Sequence, residues 1–389
     1  DHDNASVASH AAFGPYGIYL YVPLEGNRQV AVVDVFANEE LLRFDVGFAP
    51  QAVVVSADGN RLYVHNFLDR SVTVADISEL TSGVSETVNI EATIGTVASE
   101  ALAAEILQGK KLFYDARDPR ITLEAYMSCA SCHHDGSHDG RVWDFTGFGE
   151  GLRNTISLEG HAGVGQGRLH WTANFDEVHD FENQIRGFNL GVGLMSNPDF
   201  AATEPTLGPP KAGYSADLDD LSAYVSSLTT FGTSPNRDAG GVLTAEGEAG
   251  KLVFEAADCA SCHTGAGYTD SANDTVLLHD VGTLKSSSGQ RMGGPLSGLD
   301  TPTLKGLWAT APYLHDGSAA TVRAAVAAHD VASQGGTPLS SAELDALEAY
   351  LLQIDDVESP DGSSGGSGSF LQDGNGLLVI EAESFSDNQ

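Results

Sequence analysis

The sequence predicts a multidomain chain in which two mainly α-helical domains in tandem follow an all-β segment of partial extent. Three observations predict it. The pentapeptide CASCH occurs twice, at Cys129 and Cys259, and uses all 4 cysteines of the chain. Each copy lies between one stretch of helical apolar spacing upstream and another downstream. Ahead of both, residues 16–80 carry a β-patterned repeat.

The β segment comes first. LYVPLEGNRQVAVVDV (20–35) aligns with LYVHNFLDRSVTVADI (62–77), a period of 62 − 20 = 42 residues. Between the copies, PQAVVVSADGNRLYV reads as strand, Asp-Gly turn and strand. About four strands per unit at this period is the mark of a propeller blade. Residues 13–95 are therefore read as β-propeller-like blades, similar to the YVTN type. They amount to about two blades where a closed propeller needs at least four, so the chain is expected to be an excerpt of a longer protein.

The middle of the chain is a duplication. EILQGKKLFYDARD leads into Cys129 and EGEAGKLVFEAAD leads into Cys259. DLDDLSAYVSSL (217–228) closes the first half and SAELDALEAYLLQI (341–354) the second, each helix built around an Ala-Tyr pair. Ser340 and Glu343 form a capping box at the start of the last helix. The domains are placed at 96–236 and 237–357. Residues 358–370 read as a Gly/Ser linker, and 371–389 as the start of a further β module resembling a carbohydrate-binding domain, which would imply a polysaccharide partner.

Composition bounds the function. The 389 residues suit two or three domains. With 19 Lys+Arg against 54 Asp+Glu the formal charge is −35, a surface that repels nucleic acid and anionic membranes. No apolar run approaches the roughly 18 residues of a membrane span. No basic-then-apolar leader opens the chain, so it is read as either cytoplasmic or a mature, processed form.

Two Cys-x-x-Cys pairs could be redox dithiols, disulfides or halves of a zinc site. Zinc would want four clustered ligands and a shorter gap between the pairs. A Cys-x-x-Cys-His word is the attachment site of a c-type haem, whose vinyl groups take the two thiols while the following His becomes the axial iron ligand. Cys129, Cys132 and His133 are accordingly assigned to one haem, and Cys259, Cys262 and His263 to a second. The tandem domains are thus read as cytochrome c domains. Covalent haem also implies export, to the periplasm or the cell exterior.

A family resemblance completes the reading. The two-domain layout and TPTLKGLWATAPYLHDGSAATVRAAVAAH (301–329) resemble the bacterial di-haem cytochrome c peroxidases and their relative MauG, and LLHDVGT (277–283) resembles a further segment of theirs. The resemblance implies an oxidoreductase with one peroxidatic haem, here the first, and one electron-transfer haem, here the second. It also implies hydrogen peroxide as substrate and a small redox protein as electron donor. Within LHWTANFDEV it places Trp171 as an electron relay. FDEVHDFENQIRG, read as a helix, offers Glu182, with Glu177 as the alternative, for the acid/base carboxylate that moves a proton on bound peroxide. The glutamate-bearing segment of the family is altered here to GVGLM (191–195). Counting from His315 places His329 as distal ligand of the second haem, with Met292 and His279 as rivals. His134, His138, His161 or His170 would cap the first haem. A calcium ion would lie near Asn154, Asp300 and Pro302. Alternative readings are a MauG-like oxidase of a protein or other external substrate, and a non-enzymatic electron-transfer module.

Overall fold

The computed structural model describes residues 7–272, 275–329 and 337–358. The linker and terminal module read from the sequence lie outside the described residues, apart from Glu358. The described chain divides into two compact units. The first runs to His134 and takes in His179–Glu204 and Pro210–Tyr224; the second comprises Asp135–Val178, Pro205–Pro209 and the chain from Val225 onward.

In the first unit the repeat becomes two four-stranded antiparallel sheets. One has the order β1 (Ala12–Phe13), β2 (Tyr19–Leu24), β3 (Gln29–Asp34), β4 (Glu39–Asp45). The other has β5 (Pro50–Val55), β6 (Arg61–Asn66), β7 (Ser71–Asp76), β8 (Asn89–Gly95). The repeat period is conserved in the register. Tyr21 faces Val32 across β2 and β3, and Tyr63 faces Val74 across β6 and β7, each 42 residues on. Alternation sets the faces: Leu62, Val64 and Asn66 of β6 are buried while Arg61, Tyr63 and His65 are exposed. Leu62 and Val64 join Tyr21, Val30, Val32 and Val53 in one apolar core. Gly59, at φ +74°, makes the turn of the Asp-Gly hairpin with no Cβ penalty.

Five helices lie in the first unit, the last running on by two residues beyond its boundary: α1 (Ser78–Thr81), α2 (Ala104–Tyr114), α3 (Phe181–Gly187), α4 (Asn197–Thr203) and α5 (Ala216–Ser226). The second unit holds the hairpin β9 (Val142–Asp144) and β10 (Leu152–Asn154), then α6 (Ala245–Ala256). After these come β11 (Gln290–Arg291), β12 (Gly294–Pro295), α7 (Val322–Ala328) and α8 (Ser341–Leu351). The capping box of α8 forms as read: Glu343 N–H donates to Ser340 Oγ (3.3 Å) and Ser340 N–H to Glu343 Oε2 (2.7 Å).

The duplication appears as one helix crossing built twice. A Cβ on Gly109 of α2 would collide with the Asp220 carbonyl oxygen of α5, and a Cβ on Gly250 of α6 with the Ala346 carbonyl oxygen of α8. Only glycine permits backbones this close. Four residues after each glycine a phenylalanine meets the tyrosine of the facing helix edge-on. The ring centroids of Phe113 and Tyr224 are 5.1 Å apart, and those of Phe254 and Tyr350 are 5.6 Å apart.

The expected helix over FDEVHDFENQIRG is shorter than its spacing suggested. A 3-10 turn at Val178–Asp180 precedes α3, which starts only at Phe181. Phe175 is held in an extended bridge to Leu169, whose N–H donates to the Phe175 carbonyl, so the chain cannot turn helical until it has left that bridge.

Candidate functional site

Both CASCH words fold into the same local shape. Cys129–Ser131 and Cys259–Ser261 are 3-10 turns. The following histidine closes each turn: His133 N–H donates to the Cys129 carbonyl at 2.9 Å and His263 N–H to the Cys259 carbonyl at 3.0 Å. None of the 4 cysteines is disulfide-bonded in this structure. Burial pushes the Cys129 and Cys259 thiols up to about 11, and Cys262 is raised for the same reason. These thiols stay protonated and neutral in an apolar setting.

In the first unit the turn follows Ser128, whose N–H donates to Ser131 Oγ at 3.0 Å. His134, next in sequence to His133, meets Tyr114 of α2 edge-on at 5.7 Å. Its Nε2 lies 3.4 Å from Glu25 Oε2, a carboxylate only 4% exposed in the turn after β2.

In the second unit the turn opens on a cavity of about 840 Å³. Phe254, Leu304, Leu307, Tyr313, Val326 and Leu351 give it an apolar wall, and His263, His329 and Trp171 face it. His263 Nδ1 lies 3.1 Å from the Tyr268 carbonyl. A carbonyl can only accept, so Nδ1 carries the proton and Nε2 keeps its lone pair for a ligand. Burial pushes the His263 pKa down to about 4, with the nearby His329 adding to the effect. His329 ends α7 and repeats the logic, its Nδ1 lying 2.8 Å from the Ala325 carbonyl. The rival ligands fare differently. Met292 is 52% exposed and outside the cavity wall. His279 lines the cavity with both ring nitrogens engaged, Nε2 at 2.7 Å from Asp270 Oδ2 and Nδ1 at 3.7 Å from Cys262 Sγ.

This donor set fits a haem: two thiols at one edge of an apolar cavity, and two imidazoles that each present an unprotonated nitrogen. Cys259 and Cys262 would hold the group covalently, and His263 and His329 would supply its axial nitrogens. The first turn supplies the same Cys129, Cys132 and His133 set.

Trp171 is fixed by its indole N–H, which donates to the Asn154 carbonyl at 2.8 Å. Its own carbonyl accepts from Asp300 N–H at 2.9 Å. The ring meets His315 edge-on at 6.5 Å, and His315, 1% exposed, is anchored by Ser288 Oγ at 2.7 Å from Nε2.

The two carboxylates read as acid/base candidates are placed very differently. Glu182 is fully buried and its oxygens are committed: Arg186 Nε donates at 2.7 Å, Leu194 N–H at 2.9 Å and Met195 N–H at 3.0 Å. It braces the altered GVGLM segment. Glu177 is half-buried, in the run leading to α3.

Of the histidines proposed to cap the first haem, only His134 lies in the unit of the first turn; His138, His161 and His170 belong to the second. There His138 Nε2 contacts the Ala309 carbonyl (2.9 Å), His161 packs on Phe231 (5.7 Å) and His170 Nδ1 pairs with Asn174 Oδ1 (2.7 Å). Where the sequence suggested calcium, Asn154 Oδ1 is buried without a hydrogen-bond partner, and Asn154, Asp300 and Pro302 all line the same cavity. Burial pushes the Asp300 carboxyl up to about 7, against a 2.6 Å hydrogen bond from Ser271 Oγ. Sequence reasoning missed Tyr268 and Asp270. Tyr268 lies five residues after His263, a loop position with no motif to announce it, and Asp270 matters only through a contact to His279.

Comparison with known proteins extends the site. A cytochrome c-like family model described as RoxA-like matches residues 298–330, the segment that contains Asp300, Pro302, His315 and His329. Hydrazine synthase subunit gamma of Kuenenia stuttgartiensis is 27% identical over 280 residues, covering 62% of this chain and 76% of that protein. Cytochrome c551 peroxidase of Pseudomonas aeruginosa is 26% identical over 277 residues, covering 63% and 77%. The cytochrome-c peroxidase IdrP2 of Pseudomonas sp. strain SCT is 25% identical over 315 residues, covering 64% and 81%. These relatives are oxidoreductases, and they support haem c as the cofactor. Among the described residues no helix is long and apolar enough to cross a membrane.

Proposed function

We propose that this chain, an oxidoreductase related to bacterial cytochrome c peroxidases, carries two covalent haems c and reduces hydrogen peroxide at the first with electrons relayed from the second. The supporting observation is the contrast between the turns: the second faces a cavity where His263 and His329 both present a nitrogen and Trp171 stands in the wall. Two imidazoles on one iron make an electron-transfer centre. Bound haem supplies the iron that passes single electrons and, where a coordination position is open, takes up peroxide.

The residues of the chain have separate tasks in this reading. The cysteines anchor, and His133 and His263 donate axial nitrogens. Trp171, its indole immobilised by Asn154, carries electrons. A carboxylate moves the proton between the peroxide oxygens. Glu182, in the unit of the first turn, is the first candidate, its oxygens held by Arg186, Leu194 and Met195, and Glu177, in the second unit, is the alternative. A small redox protein is proposed as the donor, a location outside the cytoplasmic membrane as the compartment, and calcium beside Asn154 as a further ligand, supported by the unpartnered Asn154 Oδ1.

A pure electron-transfer module is the second reading. It is favoured by Leu194 and Met195 of the altered GVGLM segment, whose main chain is clamped by Glu182. Stopped-flow mixing of half-reduced protein with hydrogen peroxide separates the two. The peroxidase reading expects saturable turnover that Glu182→Gln or, on the alternative, Glu177→Gln lowers by about 10²-fold or more. Absence of turnover in the parent protein assigns the electron-transfer role.

A further inference from the structure

The two four-stranded sheets of the first unit meet through unlike faces. Tyr21, Val30 and Val32 of the first sheet share a core with Leu62, Val64, Ala75 and Ile77 of the second, all of them 0% exposed. Each of these residues has a counterpart 42 residues away, on a side of a sheet that this contact leaves uncovered. Tyr21, Val30 and Val32 recur as Tyr63, Val72 and Val74, on the side of the second sheet opposite to Leu62 and Val64. Leu62, Val64, Ala75 and Ile77 correspond to Leu20, Val22, Val33 and Val35, on the outer side of the first sheet and at its rim. The chemistry is kept and the burial is not: Tyr63 is 38% exposed where Tyr21 is 0%, and Val35 is 39% exposed where Ile77 is 0%.

The outer side of the second sheet is an apolar surface in cross-strand register. Val54, Tyr63 and Val74 form one row, and His65, Val72 and Ile94 the next. Val54 is 63% exposed and Ile94 54%. Neither row holds a carboxylate, although the chain has 54 Asp+Glu. An apolar surface kept clear of acids in so acidic a protein marks a contact. The contact already built is head-to-tail, one side of a sheet lying on the other side of the next. What fits over Tyr63 and Val72 is therefore a sheet that presents the Leu20, Val22 and Val33 side. We propose that the occupant is the first sheet of a second copy of this chain. The partner's second sheet covers the first sheet of this copy in return, so one two-fold pairing buries both open sides. Two copies then supply four sheets, the smallest number with which a propeller closes. Each copy carries a formal charge of −35, so apolar burial holds the pair against long-range repulsion. The inference concerns the β segment and is independent of the haem chemistry.

The test is sedimentation equilibrium of the haem-loaded full chain over a dilution series, at low and high sodium chloride, for the parent, Tyr63→Lys and Val35→Glu. Both positions are exposed, and circular dichroism with haem content checks that each variant is folded. The expected result is a monomer–dimer equilibrium that tightens with salt. Either substitution should weaken it about tenfold or more. An equimolar mixture of the two variants should recover association, because one contact is then unaltered and the other sets opposite charges together. A parent chain that stays monomeric at every concentration and salt would overturn the inference and leave the open side to a different protein. A dimer insensitive to both substitutions also overturns it, because it forms elsewhere on the molecule. So does a mixture that associates no better than the single variants, which excludes the head-to-tail arrangement. If Tyr63→Lys loses its fold, Val54→Lys, at a more exposed position of the same side, decides by the same criteria.

Discussion

The two CASCH regions share a scaffold and differ in everything attached to it. In each, a glycine on the upstream helix lets the closing helix approach to main-chain contact, and a Phe-Tyr edge contact follows four residues on. In each, the turn closes with a His N–H to Cys carbonyl hydrogen bond. Around the second turn stand Tyr268, His329 and Trp171; beside the first stand Tyr114, His134 and the buried Glu25. The scaffold fixes where a haem can be tied down, and the loops decide what that haem can do.

Loss of the anchors should break the symmetry most. Cys129→Ala is expected to remove the first haem alone and Cys259→Ala the second alone, each read as the loss of one haem mass and about half the visible absorbance. The shared crossing comes next. Gly109→Ala and Gly250→Ala each force a Cβ into a facing carbonyl, and urea unfolding should show a loss of about 1–3 kcal/mol or more in each. If Gly250→Ala were neutral, the matched crossing would be incidental rather than structural.

Ligation sharpens the contrast. His329→Ala should shift the visible spectrum and potential of the second haem and leave those of the first unchanged; a spectrum unmoved at both haems withdraws His329 as a ligand. Trp171→Phe keeps the packing but gives up the indole, so electron transfer between the haems should slow about tenfold, worth ~1.4 kcal/mol of barrier. Unchanged inter-haem kinetics would reduce Trp171 to a packed wall residue.

The smallest effect is a pH dependence. Burial raises the folded-state pKa of Asp300 to about 7. Between the ordinary carboxyl range and that value the folded state binds more protons than the unfolded one. The stability this group contributes is therefore full at acid pH and lost as pH rises through about 7. Asp300→Asn should gain on the parent chain by at least about 1 kcal/mol from pH 5 to pH 8 in calcium-free buffer. A difference that does not change with pH would show that Asp300 is ionised throughout.

What could be read from the sequence was local or periodic. The 42-residue shift between Tyr21 and Tyr63 reappears in the strand register, and the Ser340 and Glu343 cap forms as spaced. The histidine count from His315 reached His329, which lines the same cavity as His263. What could not be read was tertiary. Glu182 reads in the sequence as the acid/base carboxylate, and its commitment to Arg186 and the Leu194 and Met195 amides depends on how the following loop folds back. The α3 helix fell short because a bridge at Phe175 overrides helical spacing. Cys262, Asp270 and His279 are spread over a loop with no periodicity, and only the fold brings them together.

The central claim is that one haem is open to peroxide while the other is closed by His263 and His329. Electron paramagnetic resonance of the oxidised and half-reduced protein, with and without hydrogen peroxide, tests it most directly. The account predicts one low-spin ferric signal indifferent to peroxide and a second ferric centre that is high-spin, or becomes peroxide-reactive on half-reduction. Two low-spin signals that ignore peroxide even after half-reduction would contradict it and leave the chain an electron-transfer module.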